Sequence, residues 1–328
     1  MKKINYMSKE YTNCLRGIFA ILVVIHHLYQ YSGLFRGSYV SVILQLLGFI
    51  SCAMFFFFSG YGLMYSSKRE NYLEGFFVKR FLPLYCFYVF LIILYSIWTL
   101  LLERSLSPKF FIKSFLFGGT VVTNGWYLQT TFVVYLLYLF IFKKFKSFKI
   151  QIFLFGICVC AYCVLCHLMG LGINWYQTVP CVVLGMIYYC EKDYIDILLK
   201  KHSWIIFILY SILFATCYVL SAMSGIPVIF GVLYSLFFVC CMISLSYILA
   251  NTPLIHNRFF ELCGNYSLEI YVTHGLFLRI IRLESFAQIP VYVYISIVII
   301  GTIFMSVAVK KIYVTIVSSL HKISQKSH

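Results

Sequence analysis

Apolar runs of membrane-spanning length recur along the whole chain, broken only by short clusters of charged and turn residues. The runs fall near Cys14–Tyr31, Val40–Tyr65, Phe81–Leu102, Trp126–Phe142, Ile150–Met169, Trp175–Cys190, Trp204–Met223, Ile226–Ala250, Cys263–Ile281 and Pro290–Val309. About 20 apolar residues in helical conformation cross the hydrocarbon core of a bilayer. A soluble globule could not hide a composition that is 62% hydrophobic and 11% charged, because its exterior must still meet water. The expected fold is therefore all-α, a single polytopic membrane domain of about ten transmembrane helices over residues 1–328. The sixth run is short and contains Pro180, so it is expected to be tilted or broken. The first run does not read as a cleavable signal, since it carries Arg16 and lacks a small-residue cleavage site.

The net charge is +16. A basic protein can be a nucleic-acid binder, but here Lys and Arg sit in short clusters between apolar runs rather than on one face, which excludes nucleic acid as a partner and signals topology instead. With the N-terminus inside, 19 of the 26 basic residues are cytoplasmic, among them Lys2, Lys3, Lys79, Arg80, the Lys143–Lys149 group, Lys310, Lys311, Lys322 and Lys326. Six fall outside: Arg36, Arg104, Lys109, Lys113, Arg279 and Arg282. The asymmetry gives an N-in, C-in orientation. The 13 cysteines lie mostly inside apolar runs, where Cys behaves as a small hydrophobe, so no disulfide framework is implied. Cys158, Cys160, Cys163, Cys166 and His167 are close in sequence, yet thiolates are costly in hydrocarbon and no metal site is expected there.

Ionisable residues inside the spans are the informative ones, because each is expensive and normally faces the bundle interior. They are Arg16, His26, His27, His167, Glu269 and His274. Arg16 and His27 are eleven residues apart, so on a helix they lie within about 20° of one face and about 16 Å apart along the axis. His26 points about 100° away from His27. A guanidinium at the inner edge can hold a phosphate of a cytosolic cofactor, and a histidine three turns deeper can meet the end of an extended arm such as pantetheine with its thioester. On geometry alone, a snorkelling arginine and a histidine in a helix contact account for the pair equally well. Ser59 and Tyr61 bring hydroxyls near the inner side, and Lys79 and Arg80 put two cations at the same level. Glu269 is the only acid within a run and requires a partner. It stands five residues before His274, on a different helical face. Arg279 and Arg282 read as interfacial snorkelling, and His167 as a helix contact.

These residues fall into an ordered set of motifs. Arg16 and His27 match an Arg-x10-His pattern, and Phe57-Phe58-Ser59-Gly60-Tyr61 is followed by Phe77-Val78-Lys79-Arg80. Gly125-Trp126-Tyr127-Leu128 and Ser267-Leu268-Glu269-Ile270-Tyr271-Val272-Thr273-His274 complete the series. In this order the motifs resemble those of the acyltransferase-3 membrane proteins, which acylate cell-surface glycans. The resemblance implies O-acyl transfer, with acetyl-CoA as donor substrate, no permanently bound cofactor, and a glycan or glycolipid hydroxyl as acceptor. It also implies a multi-pass protein of a bacterial plasma membrane. His27 and Arg16 would be catalytic, His27 acting as general base or covalent acyl carrier. Arg16, Lys79, Arg80, Ser59 and Tyr61 would bind the donor, while Trp126, Tyr127, Glu269 and His274 would face or support the acceptor. Two departures stand out: Pro83 where relatives carry a second arginine, and Asn124 where they carry histidine. No extracellular esterase-like domain is expected. A glycan transporter or flippase without thioester chemistry, and a non-catalytic partner of a polysaccharide synthase, are the alternatives from other classes. The acyl group, the acceptor and the oligomeric state are not encoded legibly.

Overall fold

A computed structural model describes residues 5–103, 105–282 and 289–326. Lys2, Lys3 and Arg104 lie outside the described residues, as do the side chains of Arg282, Lys322 and Lys326. The described residues form helices joined by turns and loops and contain no strand. The helices are α1 (Lys9–Ser32), α2 (Tyr39–Ser67), α3 (Tyr72–Phe76), α4 (Leu82–Glu103), α5 (Pro108–Phe115), α6 (Trp126–Lys144) and α7 (Phe148–Leu168). They continue with α8 (Cys181–Cys190), α9 (Lys192–Met223), α10 (Pro227–Leu249), α11 (Arg258–Asn265), α12 (Ser267–Leu278) and α13 (Val291–Lys326). Among the described residues, eight segments are long and apolar enough to cross a membrane.

The two expected spans that fall short are the informative ones. The sixth run is a 3-10 turn, Ile173–Trp175, an irregular stretch and the ten-residue α8, whose N-cap is Pro180. The ninth run is broken at Tyr266 (φ −111, ψ 12) between α11 and α12, just after Gly264 and Asn265, two poor helix formers. The 12 residues of α12 cover about 18 Å, well short of a hydrocarbon core of about 30 Å. Discontinuous helices of this kind are tolerated at membrane depth where they line a polar site inside protein, and α12 carries both Glu269 and His274.

The third span also departs from a plain helix. Between α3 and α4, Phe77–Phe81 forms a π-helical turn, in which the Leu82 N–H donates to the Phe77 carbonyl five residues back. Pro83 supplies a reason: it has no N–H for the Lys79 carbonyl, and its ring disfavours the regular α turn before it. α9 starts well before Trp204 and bends at His202 (φ −136, ψ 25).

The chain divides into two compact units. The first contains Met1–Phe19, Gly48–Glu70 and Phe140–Asn265, and α9 and α10 pack along each other within it. Glycines let backbones touch here. A Cβ on Gly60 would run into the Val182 carbonyl and one on Gly185 into the Phe57 carbonyl, so α2 and α8 meet through small residues. Gly17 and Gly264 do the same for α1 and α11. The second unit contains Ala20–Leu47, Asn71–Leu139 and Tyr266–His328, with α12 and α13 packed together and α4 and the π-turn against α13.

Candidate active site

In the second unit, His27 and His274 stack with ring centroids 5.2 Å apart and an interplanar angle of 20°. Helix α1 presents His27 and the short α12 presents His274. His274 is 0% exposed and His26 5%, whereas His27 keeps partial access. His26 Nδ1 lies 2.8 Å from the Leu44 carbonyl. A carbonyl only accepts, so His26 donates and is committed to tying α1 to α2. His27 is thus the less buried imidazole of the adjacent pair.

Hydrogen bonding sets the tautomers. His274 Nδ1 is 3.0 Å from the Ile270 carbonyl and must donate to it. Its Nε2 then carries a lone pair, which accepts from Asn124 Nδ2 at 3.4 Å. His27 Nδ1 meets Gln30 Oε1 at 3.0 Å. With the amide oxygen accepting, the proton is on Nδ1, and Nε2 presents its lone pair as a base.

A loop before α6 holds Asn124 in place. Asn124 adopts a left-handed conformation (φ 60), which Asn tolerates better than most residues. Its carbonyl accepts from the Tyr271 hydroxyl at 3.0 Å, and the Tyr271 ring packs 5.2 Å from that of Tyr127. Arg279 corrects the snorkelling expectation. Its guanidinium donates to Thr123 Oγ1 at 2.9 Å, Thr99 Oγ1 at 2.7 Å and the Val121 carbonyl at 2.9 Å, and it lies 5.6 Å from the Tyr95 ring centroid. The arginine turns inward because three oxygens converge on it, and five donors in a planar fork can serve all three. It braces the loop that ends in Asn124. Gly275, next to His274, permits the close fit, since a Cβ there would come within 2.5 Å of Thr123 Cβ.

At the other end of the same unit, the π-turn exposes Lys79 and Arg80, and Arg80 interacts electrostatically with Tyr135 and Tyr313. Glu269 is 2% exposed and pairs with Lys310 of α13 at 3.7 Å. Glu269 and His274 therefore meet different neighbours, as their spacing on the helix requires. Trp126 and Tyr127 open α6, both partly buried, with rings 6.0 Å apart.

A family profile described as an acyltransferase domain, acyltransferase-3, matches residues 9–310. The chain belongs to the acyltransferase-3 family. No curated protein and no solved structure matches it. As a member of that family with eight segments among the described residues long and apolar enough to cross a membrane, this acyltransferase is a multi-pass membrane O-acyltransferase.

Of the residues singled out from sequence in this acyltransferase, the second unit assembles His27 with His274, and Tyr127 with the Tyr271–Asn124 pair. It also holds Lys79, Arg80 and Glu269. Arg16, Ser59 and Tyr61 belong to the first unit. Arg16 is half-buried, its Nε 3.5 Å from the Thr12 carbonyl one turn back. Tyr61 joins an aromatic group with Phe57, Tyr188 and Tyr189. His167 meets the Tyr176 hydroxyl at 3.3 Å. Sequence reasoning did not find Gln30, Asn124 as a partner of His274, Arg279 as a brace, or Lys310. Only Gln30 had a local signal, its i+3 spacing from His27.

Proposed function

We propose that this acyltransferase moves an acetyl group from acetyl-CoA, arriving from the cytoplasm, to a hydroxyl of a cell-surface or lipid-linked glycan in a bacterial plasma membrane. The observation that carries the reading is the partly accessible His27 imidazole, stacked on His274 and with its Nδ1 engaged by Gln30. In the transfer, the glycan hydroxyl attacks the thioester carbonyl and passes its proton to His27 Nε2. The tetrahedral intermediate collapses, the C–S bond breaks, and the thiolate of CoA leaves and takes up the proton. A glycan ester and free CoA result. Within the second unit, Lys79 and Arg80 are the cations that hold phosphates of the donor. Trp126 and Tyr127 meet the acceptor, which His274 and Glu269 support. Acetyl-CoA is a substrate here, not a resident cofactor.

The test has two arms: affinity of the purified protein for acetyl-CoA, and mass spectrometry of surface glycans with and without the protein. Binding together with a glycan mass difference of one acetyl group supports the reading. No affinity and unchanged glycan mass refute it and leave a carrier or an assembly partner.

A further inference from the structure

Helix α5 joins two membrane spans of the second unit, α4 and α6, yet is too short to cross a membrane itself. Its eight residues cover about 12 Å, against about 30 Å of hydrocarbon. Its two faces meet different surroundings. Phe111, Ser114 and Phe115 recur at helical spacing on the inner face. Ser114 is fully buried, and the Phe115 carbonyl accepts from the Tyr85 hydroxyl of α4 at 3.2 Å. On the opposite face stand Lys109, Ile112 and Lys113, continued by Leu116 just past the helix end. Both lysines are exposed, and so are Ile112 at 59% and Leu116 at 72%. Water would strand the apolar groups of that face, and hydrocarbon would strand the two ammoniums. A headgroup layer satisfies both, with lysine stems among the apolar groups and charges at phosphate level.

Charge says which headgroup. Residues 105–125 carry two lysines and no Asp or Glu, and the ion pairs among the described residues are Lys192–Asp196 and Lys310–Glu269. The local excess is positive, and its complement is an anionic lipid. The same helix is tied to the loop that ends in Asn124. Gln129 of α6 is 3% exposed, and its Nε2 reaches the carbonyls of Lys113 at 3.2 Å, Ser114 at 3.1 Å and Gly119 at 3.0 Å. The Val121 N–H donates to Ser114 Oγ at 2.8 Å. The end of α5 and the loop leading to Asn124 are thus held by the same two side chains.

We propose that α5 lies in the headgroup layer and binds an anionic phospholipid through Lys109 and Lys113, and that this contact steadies the loop carrying Asn124. The proposal is independent of which donor and acceptor the acyltransferase uses. Purified protein is placed in nanodiscs of phosphatidylcholine with increasing phosphatidylglycerol. Hydrogen exchange over residues 116–125 reports the loop, and thermal melting in phosphatidylcholine alone is the fold control. Exchange in the wild-type protein should slow as phosphatidylglycerol rises. Lys109→Gln/Lys113→Gln should melt like the wild type and need roughly thirtyfold more of the lipid, each lysine at an anionic surface contributing about fivefold. Lys109→Arg/Lys113→Arg should keep the wild-type response, because the charge is retained. Wild-type exchange indifferent to phosphatidylglycerol would overturn the proposal, as would a Gln variant that responds like the wild type or an Arg variant that does not. Inorganic phosphate that slows the loop in phosphatidylcholine nanodiscs would mark a simple anion site and overturn the lipid assignment.

Discussion

His26 and His27 are adjacent residues of one helix, and their substitutions should fail in different ways. His27→Ala removes the accessible base. Loss of a general base costs about 10²–10⁴ in rate, or roughly 2.7–5.5 kcal/mol in barrier. Its structural cost should be small, because the lost contacts are the 3.0 Å bond to Gln30 and the ring contacts with His274 and His26. His26→Ala removes a buried ring and its 2.8 Å bond to Leu44, and takes nothing from the chemistry. Hydrogen bonds between membrane helices are worth about 0.6–1.7 kcal/mol. With the packing lost beside it, a destabilisation of roughly 1–3 kcal/mol is expected. The assay is transfer of labelled acetyl from acetyl-CoA into the glycan or glycolipid fraction of membranes, paired with the melting temperature of each purified variant in detergent. His27→Ala should melt like the parent and be almost inactive; His26→Ala should melt earlier and keep substantial activity. A fully active His27→Ala would refute the assignment. So would a His26→Ala variant that melts normally yet has lost activity to the same degree.

Two more substitutions or labels test other parts of the argument. Arg279→Leu removes two hydrogen bonds to the loop that carries Asn124 and one to Thr99 of α4; it should lower transfer at least tenfold while leaving CoA affinity unchanged, and equal loss of both would remove its role as a local brace. In a cysteine-depleted background, cysteines placed in the Lys143–Lys149 loop should react only with permeant reagents, and one at Lys109 with impermeant ones. The reverse pattern would invert the orientation on which a cytoplasmic donor depends.

The long spans were legible because hydrocarbon thickness enforces length and apolarity together, and α1, α2, α7 and α10 appear close to their expected bounds. The place of His27 on α1 was legible for a related reason: its register with Arg16 is a property of one helix. The two shortened spans were harder, since an apolar run does not reveal where Tyr266 or Pro180 interrupts the hydrogen-bond ladder. Pairings across the chain were not legible at all. His274 and Asn124 are 150 residues apart, and no periodicity links them. Arg279 misled because an arginine at the outer end of a helix looks the same whether it reaches water or Thr99, Thr123 and Val121; only the folded loop decides.

The π-turn at Phe77–Phe81 holds a residue that a continuous α-helix would not need. Each residue turns an α-helix by about 100°, so this surplus sets the angular phase between α3 and the whole of α4. Lys79 and Arg80 owe their direction to that phase and not to the apolar face of α4 below them. Deleting Val78 would keep both charges and remove the surplus residue, so Lys79 and Arg80 would no longer stand on a widened turn. Local spacing in this stretch is thus a geometric coordinate in its own right, separate from the charges that Lys79 and Arg80 carry.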